Sequence, residues 1–148
     1  MQHVRRFAEN QDRDALDALL RSRGIAPTRQ RMEIAQVIFS HGGHLSADRI
    51  LSLVNERSAA TSKATVYNTL NLFLEKKLVR DVIVDPQKVF YDGNTGPHHH
   101  FYNVDTGELT DIDASDIAVS GLPPLPPGLA AERVDIVVRV RSTGDDSR

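Results

Sequence analysis

Residues 14–77 space their apolar side chains helically, every three or four positions, in four successive segments. The first predicted helix runs from Asp14, its expected N-cap, to Arg23. Its apolar face holds Ala15, Leu16, Leu19 and Leu20. Gly24 follows, and glycine ends many helices because it adopts the left-handed backbone conformation without strain.

The second and third predicted helices each begin at a residue whose side-chain oxygen can cap backbone N–H groups. Thr28 is the expected cap of the second helix, whose apolar stripe is Met32, Ala35, Ile38 and Phe39. Ser46 is the expected cap of the third helix, whose inward residues are Ala47, Ile50, Leu51 and Val54. The pair Gly42-Gly43 separates the two helices, because glycine destabilises a helix interior.

The fourth predicted helix has one apolar face and one polar face. Ser62 is its expected N-cap, and it runs from Lys63 to about Lys77. Its buried side consists of Val66, Leu70, Phe73 and Leu74. Its exposed side carries Lys63, Thr65, Tyr67, Asn68 and Asn71.

Beyond Leu78 the apolar period changes to two, which predicts a β-hairpin. Its strands are expected around Val82 and Val89, with the turn at residues 85–88. Short helices followed by a hairpin are the order of a winged helix, in which a later helix enters the major groove of DNA. The alternative is a small helical domain with a β-ribbon that binds no nucleic acid.

The second half of the chain predicts a strand-rich region after a linker at residues 94–97. Strands are expected at residues 98–104, 108–112 and 134–141. Four of the seven prolines lie within residues 122–128, which excludes a helix or a central strand there. The predicted fold class is therefore α+β, with a winged helix-turn-helix domain at 1–92 and a small second domain at 93–148.

The last predicted strand, at residues 134–141, is too apolar for an exposed strand. Pairing with a second copy of the chain would cover a sheet edge and would match a two-fold DNA site. The sequence therefore predicts a homodimer formed by the second domain.

Charge and composition narrow the function. Residues 1–92 carry 14 lysines and arginines against 11 acidic residues, and residues 93–148 carry 4 against 9, so the first half is the better partner for an anion. The absence of cysteine excludes disulfides, thiolate zinc sites and cysteine nucleophiles. No signal peptide and no apolar run of about 18 residues is found, so a cytoplasmic protein without a membrane partner is expected.

Three consecutive histidines, His98, His99 and His100, lie within a predicted strand. Successive strand side chains point to opposite faces, so His98 and His100 share one face and His99 takes the other. Two imidazoles on one face can bind one metal ion, and Asp92 can add an oxygen ligand. Such a site suits Fe(II), Mn(II), Zn(II) or Co(II), and histidine is also a common axial ligand of heme. The alternative is an exposed histidine run that binds nothing.

Enzyme motifs are absent from the sequence, which has no Gly-rich phosphate loop, no His-Glu-x-x-His helix and no Gly-x-Ser-x-Gly elbow. Strand carboxylates such as Asp111 and Asp113 are expected to be solvated. The protein is therefore not expected to be an enzyme. Two alternatives remain, a metal-dependent hydrolase whose His and Asp residues activate water, and a winged-helix module that binds other proteins.

Five ordered segments resemble motifs of the ferric uptake regulator family. They are Pro27-Thr-Arg-Gln-Arg31, His44-Leu-Ser-Ala47, Ala64-Thr-Val-Tyr67, Phe90-Tyr-Asp92 and His98-His-His100. The resemblance covers about residues 12–141. Within the family, the histidine run, Thr106-Gly-Glu-Leu109 and the proline-rich stretch look most like the heme-responsive iron response regulators.

This resemblance implies a metal- or heme-responsive transcription regulator of iron-homeostasis genes, a repressor that binds double-stranded operator DNA as a dimer. Tyr67 matches a DNA-contacting tyrosine of the family's recognition helix. We expect the DNA interface to comprise Arg29, Arg31, Lys63, Thr65, Tyr67 and Asn68.

A regulatory site for divalent Fe, Mn or Zn between the two domains is also implied. His44, Asp92 and His100 match its ligands, and His98 is expected to assist. His98, His99 and His100 match the histidine motif that is linked to heme in the iron response regulators. The family's structural zinc site is not expected, because both of its cysteine pairs are absent, with Asn103 and Thr106 near the first pair.

Overall fold

The computed structural model describes residues 2–41, 44–57 and 61–144, with side chains from residue 12 onward. The chain divides into two compact units, residues 1–95 and residues 96–148. Within the described residues, no helix is both long enough and apolar enough to cross a membrane.

The described part of the first unit contains four helices and a three-stranded antiparallel sheet. The helices are α1 (Gln2–Ser22), α2 (Arg29–Ser40), α3 (Ala47–Arg57) and α4 (Lys63–Glu75). The strands are β1 (Leu45–Ser46), β2 (Arg80–Asp85) and β3 (Lys88–Asp92), in the spatial order β1-β3-β2. The predicted hairpin is therefore present, and the short strand β1, which the apolar pattern did not reveal, adds a third strand to it.

Three of the four predicted helix caps are confirmed. The side-chain oxygens of Thr28 and Ser62 accept hydrogen bonds from the backbone N–H groups three residues onward, and Ser46 does the same for α3. The expected N-cap Asp14 is wrong, since this residue lies inside α1. Residues 2–13 contain neither glycine nor proline, so nothing in the backbone interrupts the helix there.

The helix ends follow local backbone conformation. Gly24, with a φ of 72°, follows α1 as predicted. α4 ends two residues before its predicted end, and Lys77 has a φ of 58°, which is incompatible with a helix. The pair Gly42-Gly43 lies outside the described residues.

One apolar core supports the first unit. It includes Leu20, Ile34, Ile38, Ile50, Val66, Leu70 and Phe73, together with Tyr91 from β3. Every helix and the wing-like hairpin contribute to this core, so α4 is held rigidly with its opposite face turned outward.

The second unit consists of a small sheet with the order β5-β4-β6. Its strands are β4 (His98–Asn103), β5 (Leu109–Asp113) and β6 (Val137–Val140). β4 pairs antiparallel with β5 and parallel with β6. A single-turn 3-10 helix, Ala114–Asp116, follows β5, and residues 117–136 form neither helix nor strand, in accordance with the prolines.

The last strand is shorter than predicted. It begins at Val137 rather than Val134 and ends at Val140, because only this part lies opposite β4, from His100 to Asn103. A strand requires a hydrogen-bonding neighbour, so apolar composition alone overestimated its length. The α+β fold class itself is confirmed.

Candidate DNA interface and metal centre

α4 presents the polar surface that its sequence predicts. Val66, Thr69, Leu70 and Phe73 are buried. Lys63, Tyr67, Asn68 and Asn71 are exposed, and 38% of the Tyr67 surface is accessible to solvent. A tyrosine ring and two amides on a rigid helix face are suited to contact base edges.

Lys63, at the first turn of α4, has two neighbours on the same surface. Its Nζ lies 3.8 Å from a carboxylate oxygen of Asp48 on α3 and 5.8 Å from the centre of the Tyr67 ring. Both side chains of the ion pair are largely exposed, so the pair is weak and a phosphate can replace Asp48 as the partner of the ammonium group.

The other predicted DNA contacts differ in their surroundings. Arg29 forms an i,i+4 ion pair with Glu33 at 3.2 Å, and the Arg31 guanidinium donates a hydrogen bond to the Ala26 carbonyl at 3.0 Å. Both arginines lie in the first turn of α2. Thr65 is half-buried, and its hydroxyl shares a 2.9 Å hydrogen bond with that of Ser62. Thr65 therefore supports the start of α4 more directly than it faces a partner.

A groove of about 450 Å³ separates the start of α4 from the β2–β3 turn. Tyr67 and Asp48 line one side, and Gln87 and Lys88 line the other. The turn therefore stands beside α4, as the wing of a winged helix stands beside its recognition helix. Burial, together with nearby Tyr67 and Asp81, raises the pKa of Tyr91 in this groove, so its hydroxyl stays protonated.

His44 and Asp92 form the first of two donor groups. Leu45 pairs with Tyr91 across the ladder of β1 and β3, so the next residues outward, His44 and Asp92, lie side by side. His44 Nε2 lies 3.2 Å from Asp92 Oδ2, and both side chains are nearly inaccessible to solvent. The other carboxylate oxygen of Asp92 accepts the Asn94 N–H at 2.9 Å, which fixes the orientation of the group.

The second donor group lies on one face of β4 and β5. His100 pairs directly with Asp111, and its Nε2 lies 3.4 Å from Asp111 Oδ1. His98 Nε2 lies 3.8 Å from the same oxygen, and the centres of the two imidazole rings are 4.6 Å apart. Both histidines are buried, and each of the three residues offers a ligand atom within 4.8 Å of the others.

The hydrogen bonds of His98 prepare it to bind a metal ion. Its Nδ1 lies 2.7 Å from the Gly96 carbonyl oxygen, which can only accept, so Nδ1 carries the proton. In the neutral ring, Nε2 then has the lone pair that a metal ion needs, and this atom lies 3.8 Å from Asp111 Oδ1. A backbone carbonyl that holds the far nitrogen is the usual support for a metal-binding histidine.

Asp111 is the candidate ligand that the sequence pattern missed. Both Asp111 and Asp113 are exposed, as the sequence predicts. The Asp113 carboxylate caps the 3-10 turn through Ser115. The hydrogen bond from the Ser115 N–H lowers the pKa of Asp113. Alternating acidic residues are ordinary on an exposed strand, so only the register with β4 distinguishes Asp111.

His99 points to the opposite face of β4, as strand alternation predicts. Its Nδ1 accepts the Ile136 N–H at 3.2 Å, so in the neutral ring Nε2 carries the proton. His99 thus has no lone pair to offer without breaking this bond. It joins β4 to the segment before β6 and stands apart from the other two histidines.

Both donor groups fit a divalent metal ion. Two ligand atoms that are each about 2.1 Å from one ion lie about 3 to 3.5 Å apart. The 3.2 Å separation of His44 and Asp92 and the 3.4 Å separation of His100 and Asp111 match this spacing. Imidazole and carboxylate donors without sulfur suit Fe(II), Mn(II) or Zn(II).

Comparison with known proteins agrees with these features. Residues 22–121 match the sequence model of the ferric uptake regulator family. The chain is 30% identical over 95 residues to the peroxide-responsive repressor PerR of Staphylococcus epidermidis, which is 64% of this chain and 63% of the relative. It therefore spans less than two thirds of the length of that curated relative.

Solved structures show the same fold. The ferric uptake regulator of Pseudomonas aeruginosa with manganese has a TM-score of 0.67 and 24% identity, and the match covers 86% of this chain and 98% of that one. The ferric uptake regulator of Francisella tularensis with iron has a TM-score of 0.64 and 20% identity, with 81% and 93% covered. The chain belongs to the ferric uptake regulator family.

Proposed function

We propose that the protein is a DNA-binding transcription regulator that responds to a divalent metal ion and acts as a dimeric repressor in the cytoplasm. The observation that carries this proposal is the second donor group, in which two buried imidazoles and one carboxylate face each other on β4 and β5. Two imidazoles and one carboxylate on one face are the kind of donors that bind a divalent metal ion. The exposed Tyr67 and Asn68 on α4 support the proposal that the protein binds DNA.

We further propose that one ion is held by both donor groups. The first group, His44 and Asp92, offers two ligand atoms, and the second, His98, His100 and Asp111, offers three. Regulatory ions of this kind take four to six ligands, so neither group suffices by itself. A bound ion would supply the positive charge that keeps the five donors together and would thereby restrict the motion of residues 93–97.

In this arrangement, metal binding and DNA binding are thermodynamically linked. The donor groups belong to different units, so an ion that binds both favours those arrangements in which all donors meet. If such arrangements also suit the operator, the ion tightens DNA binding, and the operator tightens ion binding by the same factor.

The experiment combines metal and DNA titrations. Mn(II) binding is measured by calorimetry and operator binding by fluorescence anisotropy, for the wild type and for the double variant H98A/H100A. We expect the variant to lose at least about tenfold in Mn(II) affinity and to bind operator equally with and without Mn(II). His99→Ala is the matched control, because this histidine faces away from the donors, and it should retain Mn(II) affinity.

A dimer is supported by the surface of the second unit. Its exposed large apolar side chains are Phe101, Val104, Val119, Leu122, Leu125, Leu129, Val134 and Val138. A monomer rarely exposes so many in a short segment, and a second copy of the unit is a suitable cover. Sedimentation at micromolar concentration should give a dimer, and the variant L122E/L129E should give a monomer. Ile83→Glu, on the hairpin of the first unit, is equally exposed and should remain dimeric.

The iron response assignment is a narrower proposal, in which heme acts through the same histidines. Heme iron would bind His98 or His100 and so withdraw one imidazole from the divalent ion, which would weaken DNA binding. His99 is the less suitable ligand, because its Nδ1 is engaged by Ile136. Heme and Mn(II) should then compete in an absorbance titration. Independent binding of the two would remove heme from the proposal and leave metal sensing intact.

The hydrolase alternative is separated by the same variants. Turnover that survives Tyr67→Ala and disappears with H98A/H100A would favour an enzyme. Family membership favours the regulator, as does the exposed polar face of α4.

A further inference from the structure

Gly93 immediately follows the candidate ligand Asp92 and lies against an aromatic ring. A Cβ atom built on Gly93 would be 2.7 Å from Cε1 and 2.9 Å from Cδ1 of Phe39. Real Cβ contacts are essentially never this short, so any side chain at this position requires the ring or the turn to move. The φ of Gly93 does not lie in the left-handed region, so the backbone itself would accept alanine.

The Phe39 ring therefore occupies the space that a side chain at residue 93 would need. The ring belongs to the last turn of α2 and packs against the core of the first unit. The turn at Gly93 is closed by the hydrogen bond from the Asn94 N–H to Asp92 Oδ1. The ring, the turn and the carboxylate thus form a continuous chain of contacts that begins in the helical core.

We propose that Phe39 is a positioning residue for the metal site, because its ring seats Gly93 and so holds the Asp92 carboxylate beside His44. His44 follows α2 in the chain by only a few residues, so α2 supplies a common support for both donors of the first group. This inference rests on the proposed metal-sensing function and assigns a role to two residues that bind no metal.

The surroundings of Phe39 decide how a substitution acts. The ring also lines a groove of about 770 Å³, together with Leu16, Leu19 and Gln36. A Cβ on residue 93 can therefore displace the ring into this groove, or it can displace the turn, without forcing atoms into a close-packed core. Gly93→Ala should disturb the position of Asp92 while the helical core stays folded.

The test uses the full-length protein with Mn(II) as the probe. Calorimetry measures the dissociation constant for Mn(II), and the thermal midpoint without metal reports the fold. We expect Gly93→Ala to weaken Mn(II) binding about tenfold, within the range seen when supports of metal ligands are changed. The matched control is Thr95→Ala, an exposed position in the same linker, which should bind Mn(II) like the wild type.

A second substitution should reverse the first. Leucine at position 39 is shorter than phenylalanine and leaves room for the added Cβ, so F39L/G93A should recover most of the Mn(II) affinity that Gly93→Ala loses. Phe39→Leu alone, which removes the seat but keeps an apolar residue, should weaken Mn(II) binding several-fold. Such non-additivity is expected only when two residues act through one contact.

Two results would overturn the inference. Wild-type Mn(II) affinity in Gly93→Ala is one, and failure of Phe39→Leu to change the affinity, alone or in the pair, is the other. The Mn(II) affinity of Phe39→Leu can be measured even if Gly93→Ala does not fold. Absence of Mn(II) binding by the wild type would overturn the proposed function and this inference together, whereas normal wild-type binding with an unaffected Gly93→Ala overturns this inference alone.

Discussion

The two units bury different kinds of side chain. Among its described residues, the first unit has a core of 18 buried residues drawn from all four helices and from the hairpin. Among the described residues of the second unit, the buried apolar side chains are Tyr102 and Ile112, and they are accompanied by the imidazoles of His98 and His100. The first unit therefore has the apolar burial that a small domain needs, whereas the second does not.

Polar contacts tie the second unit together in place of a larger core. Asp105 Oδ2 accepts the Ser142 N–H at 2.8 Å and so links the β4–β5 turn to the chain after β6. The Arg139 guanidinium lies 5.3 Å from the centre of the Tyr102 ring. Such contacts orient strands but add little stability when exposed, so we expect the second unit to depend on a metal ion and a second copy.

The largest loss of stability is expected from a substitution in the core of the first unit. Phe73 is completely buried, so Phe73→Ala should lower the free energy of unfolding by about 3–5 kcal/mol, as measured by urea denaturation. The exposed Ile83 offers the control, since Ile83→Ala should change the stability by only about 0.5 kcal/mol. Equal effects at the two positions would contradict the difference between core and surface.

The next largest change in stability is expected when a metal ion binds the second unit. Mn(II) at about 100 times its dissociation constant should raise the free energy of unfolding by about 2.7 kcal/mol. Hydrogen exchange should slow mainly in β4 and β5, because His98, His100 and Asp111 lie there. Protection confined to α1–α4 would show that the second unit does not contribute the ligands.

The third effect concerns DNA. Tyr67→Ala should cost about 1–3 kcal/mol of operator affinity, mostly for the preferred sequence, whereas Lys63→Ala should weaken binding to all sequences and reduce its salt dependence. Glu75→Ala, at the far end of α4, is the control and should bind like the wild type. An unchanged operator affinity of a folded Tyr67→Ala variant would remove α4 as the recognition helix.

The smallest loss of stability is expected when the N-cap of α2 is removed. Thr28→Ala removes the side-chain oxygen that accepts the Arg31 N–H and should cost about 1 kcal/mol of stability in urea denaturation. Thr110→Ala, at an exposed position of β5, should change the stability far less. If both variants lose the same amount, the cap at Thr28 does not stabilise α2.

The sequence by itself determined the features that depend on near neighbours. The caps at Thr28, Ser46 and Ser62, the two faces of α4, the β2–β3 turn and the separation of His99 from its neighbours all follow from spacing of a few residues. Only the tertiary structure decided the features that depend on register and packing. Asp111 becomes a candidate ligand because it pairs with His100, and β6 is limited to the residues that face β4. Gly93 has no room for an undisplaced side chain because Phe39, distant in sequence, lies against it. Contacts of this kind join residues far apart in the chain, so no local pattern of side chains can reveal them.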